Sequence, residues 1–358
     1  MNSRTLRKGF TLIELLVVVS IIALLIGILL PALQRAKREA GAVRDGAQIK
    51  QIHTAMVTWA TNNNGRYPVP SALDNRGYTE APLVTPGQPN PDAYHKNRTG
   101  PVFAIMIYNR LLVPEVFVSP NEPNGSIISK TNFYYGTMPQ EYSNVPEREL
   151  ALWDPGFYGT PATDDYSTDV IGGTSSLQQG NNSYAHTPVI PTTSRYNRHW
   201  RNSLSANQAV LSNRGPVYAT SKGGQGTISQ NSPTDGVWYL SGSTMTSEGE
   251  KSDALLFAGS SKTWGGNVAY NDNHVSRETT HSPESLSFWD PQAGNGGSQL
   301  PDNIFVDEAN ENGTPLNSVD LRGNVILRSY KDGVDWNNAI NANAFKQSMW
   351  WDGKPDNQ

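Results

Sequence analysis

Few residues in this chain are spaced so that they could do chemistry. Asp272 and His274, one residue apart, could be two metal ligands or an acid–base pair. The competing reading is a tight turn whose aspartate and asparagines satisfy local backbone groups, and it is favoured. Asp302, Asp307, Glu308 and Glu311 fall within one short segment. Their oxygens suit calcium, but the spacing matches no EF-hand, and a solvated acidic loop is favoured. The histidines His53, His95, His186, His199, His274 and His281 show no HExxH spacing, and GxSxG, P-loop and GxGxxG patterns are absent from the sequence. Trp336, Trp350 and Trp351 could form a carbohydrate platform or docking patch, with core packing or an edge seal favoured. No enzymatic activity is expected. One further group stands out: Glu14, the lone ionisable residue in an apolar run from Phe10 to Leu30.

That run sets what the rest of the chain must do. Twenty-one residues make a helix of about 31 Å, enough for a bilayer core of about 30 Å. A carboxylate inside hydrocarbon costs about 2.5 to 3.5 kcal/mol on insertion scales and asks for a partner. Arg4, Arg7 and Lys8 precede the run with no acidic residue among the first nine, which predicts a cytoplasmic N-terminus and an exported remainder. An ordinary cleaved signal would have a shorter apolar region, and a lipoprotein signal would need a cysteine, of which there is none. A plain single-pass anchor with a snorkelling glutamate leaves the Gly9–Phe10 junction unexplained.

The segment Lys8-Gly9-Phe10-Thr11-Leu12-Ile13-Glu14-Leu15-Leu16-Val17-Val18 resembles the prepilin signature of type IV pilins and type II secretion pseudopilins. The resemblance implies cleavage between Gly9 and Phe10 by a membrane aspartyl prepilin peptidase that also acts as methyltransferase. It further implies N-methylation of Phe10, Glu14 as the family's buried glutamate, and Pro31 as the helix-kinking proline many pilins carry. Such a cut would leave a protonated amine on Phe10, four residues from Glu14. Packing copies side by side lets the amine of one meet the glutamate of its neighbour, and losing one partner of a buried pair costs about 3 to 5 kcal/mol.

The chain has 358 residues, 37% of them hydrophobic, and room for an anchor plus one sizeable domain. Residues 1 to 50 hold eight Lys+Arg against three Asp+Glu, while the remainder carries a surplus of nine negative charges. An acidic exported domain offers no footprint for nucleic acid. Without cysteine it has neither disulfides nor thiolate-bound metal and stands on its core alone.

Beyond Pro31 the helical pattern turns amphipathic. Leu33, Ala36, Ala40, Val43, Ala47, Ile52, Met56 and Trp59 recur mostly at three- and four-residue steps. Gly27, Pro31, Gly41 and Gly46 predict bending or local melting, and Asn62-Asn63-Asn64-Gly65 predicts the helix end. From residue 65 the composition predicts an irregular, β-rich domain. It is expected to hold one helix, Val102 to Leu112. Strands are expected at Asn132–Gly136, Ala209–Ser212, Val237–Leu240, Ala254–Ala258, Asn267–Tyr270, His274–Glu278, Asn303–Val306 and Asn324–Tyr330. Surface loops are expected at Asp164–Asn182 and Gly223–Asp235. Gly266-Asn267-Val268-Ala269-Tyr270-Asn271-Asp272-Asn273-His274-Val275 is similar to the C-terminal hairpin of prepilin-type surface proteins that carry Asp-Gly-His-Val, with Asn273 for the usual glycine. Asparagine tolerates positive φ, so the turn is expected to survive. Ser119 stands where that group commonly has cysteine, and Asn213 where it has aspartate.

The expected fold is α+β and pilin-like, a long N-terminal transmembrane and amphipathic helix packed on a loop-rich domain with an antiparallel sheet. Its parts are a leader (1–9), a transmembrane helix (10–30), an amphipathic continuation (31–64) and an exported β-rich domain (65–358). The expected role is a structural subunit, inserted single-pass in the inner (cytoplasmic) membrane with its C-terminal domain periplasmic or extracellular. It would join other pilin or pseudopilin subunits in a type IV pilus or type II secretion pseudopilus. The alternative is a membrane-tethered extracytoplasmic binding protein or glycan-active hydrolase that uses the prepilin segment only for export and anchoring.

Overall fold

Thr11 accepts from the backbone N–H of Glu14 and starts a single helix, α1 (Leu12–Thr61), that runs unbroken for 50 residues. The computed structural model describes residues 11–80, 96–140, 142, 145–161, 179–189, 194–219, 238–241, 249, 252–258, 260, 262–290, 298–306 and 327–330. Pro31 lies inside α1 without ending it. A proline there donates no hydrogen bond to the carbonyl four residues back, that of Gly27, which is what makes an interior proline costly. The expected melting at Gly27, Gly41 and Gly46 is not found, because the helix continues through all three. It stops where the Asn-Gly run predicted, with Asn64 at φ 52° and Gly65 at φ 73° in the left-handed region.

Residues 12–40 of α1 are exposed, and from Ala42 the helix beds into the domain. Its seat is a four-stranded antiparallel sheet of β1 (Tyr184–His186), β2 (Ala209–Asn213), β5 (Gly266–Tyr270) and β6 (Val275–Glu278), in spatial order β1-β2-β5-β6. Alternation along the strands sends Tyr184, Leu211 and Ala269 toward α1, where they pack with Ile49, Ile52, Met56, Phe103, Trp153 and Trp200. Ala185, Ala209, Val268 and Tyr270 point to the opposite face, into a second core with Trp264, Ile304, Phe305 and Leu327. With both faces covered, β2 is buried at every position.

Two separate two-stranded antiparallel sheets are formed by β3 (Tyr218–Ala219) with β4 (Tyr239–Leu240) and by β7 (Ser287–Asp290) with β8 (Ser298–Pro301). Three further helices are α2 (Pro70–Leu73), α3 (Thr99–Tyr108) and α4 (Ser194–His199). α3 starts and stops earlier than the sequence suggested. Pro101 sits inside its first turn, where no N–H is needed. At the other end Arg110, at φ 58°, turns the chain so that Leu111 N–H reaches Met106 O at 3.0 Å.

Three expected strands take other forms. Asn132–Gly136 has no ladder partner, Ala254–Ala258 belongs to a 3-10 helix (Asp253–Ala258), and Asn303–Val306 is a turn. Ile304, Phe305 and Val306 are nonetheless buried. Their apolar character reflects a plugged core rather than a strand. The loop expected at 164–182 is not on the surface at its end, since Asn181 and Asn182 are buried and cap the entry to β1. Most of that stretch, the loop at 223–235 and residues 324–326 lie outside the described residues, and the described part of the strand expected at 324–330 forms no strand but an isolated bridge, Arg328 with His186.

Candidate assembly segment and its seat on the domain

At the start of α1, Thr11 and Glu14 form a reciprocal capping box. The Glu14 carboxylate accepts from Thr11 N at 2.9 Å and from Thr11 Oγ1 at 2.8 Å, while Glu14 N donates to Thr11 Oγ1 at 3.3 Å. Two donors left over at the helix start are thereby satisfied. The Thr-x-x-Glu spacing that signals this box was readable in the sequence, yet Thr11 was missed as a partner of Glu14. Gly9 and Phe10 lie outside the described residues. Pro31 is exposed, one turn beyond Gly27, in the part of α1 that the domain does not cover.

The seat is organised by a second carboxylate. Asp45, only 2% exposed, accepts from Tyr184 Oη at 3.1 Å on β1, Asn213 Nδ2 at 3.1 Å on β2 and Asn267 Nδ2 at 2.7 Å on β5. One side chain of α1 thus ties together three strands of the sheet. Burial pushes the Asp45 carboxyl above its usual range, and hydrogen bonds from Ser119, Asn267, Asn213 and Tyr184 oppose that shift. Gln48, one turn on, donates to the carbonyl oxygens of Glu115 and Val118 at 3.3 Å. Gly41 is needed for the approach, because a Cβ there would collide with the Asn121 side chain, which donates to Arg38 O at 3.0 Å.

Residues 4–30 match the family model described as the prokaryotic N-terminal methylation motif. The N-terminus is of the prepilin type. No curated protein matches the chain, and no solved structure does. Together with the long, exposed apolar half of α1, the prepilin-type segment marks a membrane-anchored chain.

The other sequence candidates fall away from that segment. Asp272 and His274 sit in the β5–β6 turn, where Asp272 Oδ1 accepts from His274 N at 3.1 Å and contacts His274 Nδ1 at 2.5 Å. His274 stacks on Tyr270 with centroids 4.2 Å apart. The arrangement is local to the turn, and among the described residues no group of three His, Asp or Glu could hold a metal ion. Asn273 has φ 68°, as the hairpin required. It also does what glycine could not: its side chain bonds His53 Nδ1 at 3.0 Å and Thr54 Oγ1 at 3.3 Å on α1. His53 Nε2 lies 3.1 Å from Tyr67 Oη, which donates to Asn271 Oδ1 at 2.5 Å. Burial lowers the His53 pKa.

Ser119 and Asn213, far apart in sequence, meet at Asp45: Asn213 Nδ2 donates to it at 3.1 Å, and the Ser119 side chain works to lower its pKa. Sequence reasoning missed Asp45, although a carboxylate three residues from Ala42 and four from Ile49 lies on the buried stripe. Asp302 is buried at the end of β8. Asp307, Glu308, Glu311, Trp336, Trp350 and Trp351 lie outside the described residues.

Proposed function

We propose that the protein is a structural subunit whose role is mechanical rather than enzymatic. In this reading the prepilin peptidase cuts between Gly9 and Phe10 and methylates Phe10. The Phe10–Leu30 span then holds the chain in the inner membrane with its N-terminus cytoplasmic. Copies assemble through α1 into a type IV pilus or type II secretion pseudopilus that carries the domain on its outside.

The observation that carries the reading is the bare half of α1, where residues 12–40 are exposed and carry sixteen of the twenty-four large exposed apolar side chains of the described residues. Lipid or neighbouring helices must cover such a surface. Glu14 suits a dual role. Its two oxygens offer about four lone-pair sites, of which Thr11 uses two, leaving capacity for the amine of a neighbouring Phe10.

Substituting Glu14 tests this. Glu14→Ala should leave membrane insertion intact, read by flotation, and abolish crosslinking between neighbouring copies. Glu14→Gln keeps a capping-box residue but no charge, and should lose crosslinking as well. Unchanged crosslinking in both variants would sink the assembly role.

A further inference from the structure

We propose that the face of α1 just below the domain binds the phosphates of anionic phospholipids. This rests on the reading that the apolar half of α1 spans the bilayer. The buried stripe of the seat, Ala42, Asp45 and Ile49, continues toward the membrane at helical spacing as Arg38 and Arg35. Both arginines are exposed, and neither is ion-paired among the described residues. They sit under the domain, on the face it covers a turn later.

Four facts choose lipid as the occupant. Arg35 lies five residues beyond Leu30 and Arg38 eight, so their Cα atoms stand about 7 to 12 Å past the hydrocarbon edge at roughly 1.5 Å per residue. The headgroup layer is about 5 to 7 Å deep on each side. Helical side chains lean toward the N-terminus, which here is toward the bilayer, so both guanidinium groups reach back into that layer. The domain first touches α1 at the same level, through Asn121 on Arg38 O and Arg277 on Glu39 at 2.6 Å. This roofs the arginines from above and leaves the membrane as the open side.

Charge completes the fit. Glu39 is the sole acidic residue between Pro31 and Arg44, and Arg277 pairs it away. Arg35 and Arg38 therefore present net positive charge to the headgroups. Guanidinium binds phosphate through two parallel N–H donors. Lys37 falls on another face of the helix, outside this stripe.

The test uses the full, processed chain in phosphatidylcholine bilayers with a trace of spin-labelled phosphatidylglycerol or spin-labelled phosphatidylcholine. The motion-restricted lipid fraction reports selectivity. The native chain should prefer phosphatidylglycerol, by about fivefold for each arginine engaged, and high salt should weaken the preference. Arg35→Gln with Arg38→Gln should bring it close to parity, whereas Lys37→Gln should keep it. A native chain with equal selectivity, or a double variant that keeps its preference, would overturn the proposal. So would a double variant that keeps its lipid preference and loses crosslinking between copies, since the stripe would then face a second subunit. A native chain that does not float with these bilayers would overturn the spanning reading itself, and this inference with it.

Discussion

Glu14 and Asp45 lie on one helix and are held in opposite ways. Glu14 is exposed and, among the described residues, engaged only by Thr11, three residues earlier in its own chain. Asp45 is buried and takes donors from three strands. The same contrast runs through their surroundings. Around Glu14 the apolar residues are bare, while around Asp45 the residues Ile49, Ile52 and Met56 are fully buried. A continuous helix can thus belong to two environments when its apolar surface all faces outward in one half and narrows to a stripe in the other. The carboxylate at each place reports which environment is complete within one chain.

The largest effect should come from the core of the seated half. Ile52→Ala removes a side chain with no exposed surface and should cost about 2 to 5 kcal/mol in denaturant unfolding of the micelle-solubilised chain. Leu24→Ala, at a site 66% exposed, should shift the same transition by less than about 0.5 kcal/mol. Equal effects would break the division of α1 into a seated and a bare half.

Next comes Asp45 itself. Asp45→Ala strips Asn213 Nδ2 of its acceptor and leaves Tyr184 Oη with Gln48 Oε1 alone and Asn267 Nδ2 with Ala42 O alone, which should cost about 2 to 3 kcal/mol. Its pH dependence sharpens the point. Burial raises the folded-state pKa above the ordinary 3.8, so the folded chain holds the proton more tightly than the unfolded one. The stability contributed by Asp45 is therefore fully present below 3.8 and declines as pH rises through the folded pKa. Measured against native protein, Asp45→Asn should gain ground as pH increases over that range. A variant that loses ground would mean the hydrogen bonds outweigh burial and favour the charged carboxylate.

The bare half was legible in the sequence because its signals are local. A 21-residue apolar run, a basic leader and a Gly-Phe junction need no knowledge of what lies nearby. The helix end at Asn64–Gly65 and the β5–β6 hairpin were legible for the same reason, as each depends on residues that tolerate positive φ. The seat was not. Asp45 gains its meaning from Tyr184, Asn213 and Asn267, which are separated from it by more than a hundred residues, and no periodicity connects them. The apolar segments at Ala254–Ala258 and Ile304–Val306 read as strands because burial and strand formation favour the same side chains. Which of the two applies is decided by whether a ladder partner is in reach. Pro31 was read as a site of bending or local melting, yet the helix runs through it, because one missing hydrogen bond is a small loss for a helix of this length.

Asn273 offers the finest cut, because there the turn and the seat place separate demands on one residue. The turn needs φ near 68°, which glycine meets more easily than asparagine. The seat uses the amide, which reaches His53 and Thr54 on α1. Asn273→Gly should therefore keep the hairpin, losing only those contacts, at about 1 kcal/mol. Asn273→Ala loses the same contacts and adds the left-handed strain of a β-carbon, about 1 to 2 kcal/mol more. Amide exchange separates the two losses: protection along β5 and β6 should persist in the glycine variant while α1 loosens near His53, and both should weaken in the alanine variant. If glycine proved as stable as asparagine, the hairpin tip would be a turn that merely lies beside the helix, and Asp45 with the Glu39–Arg277 pair would hold that edge of the seat.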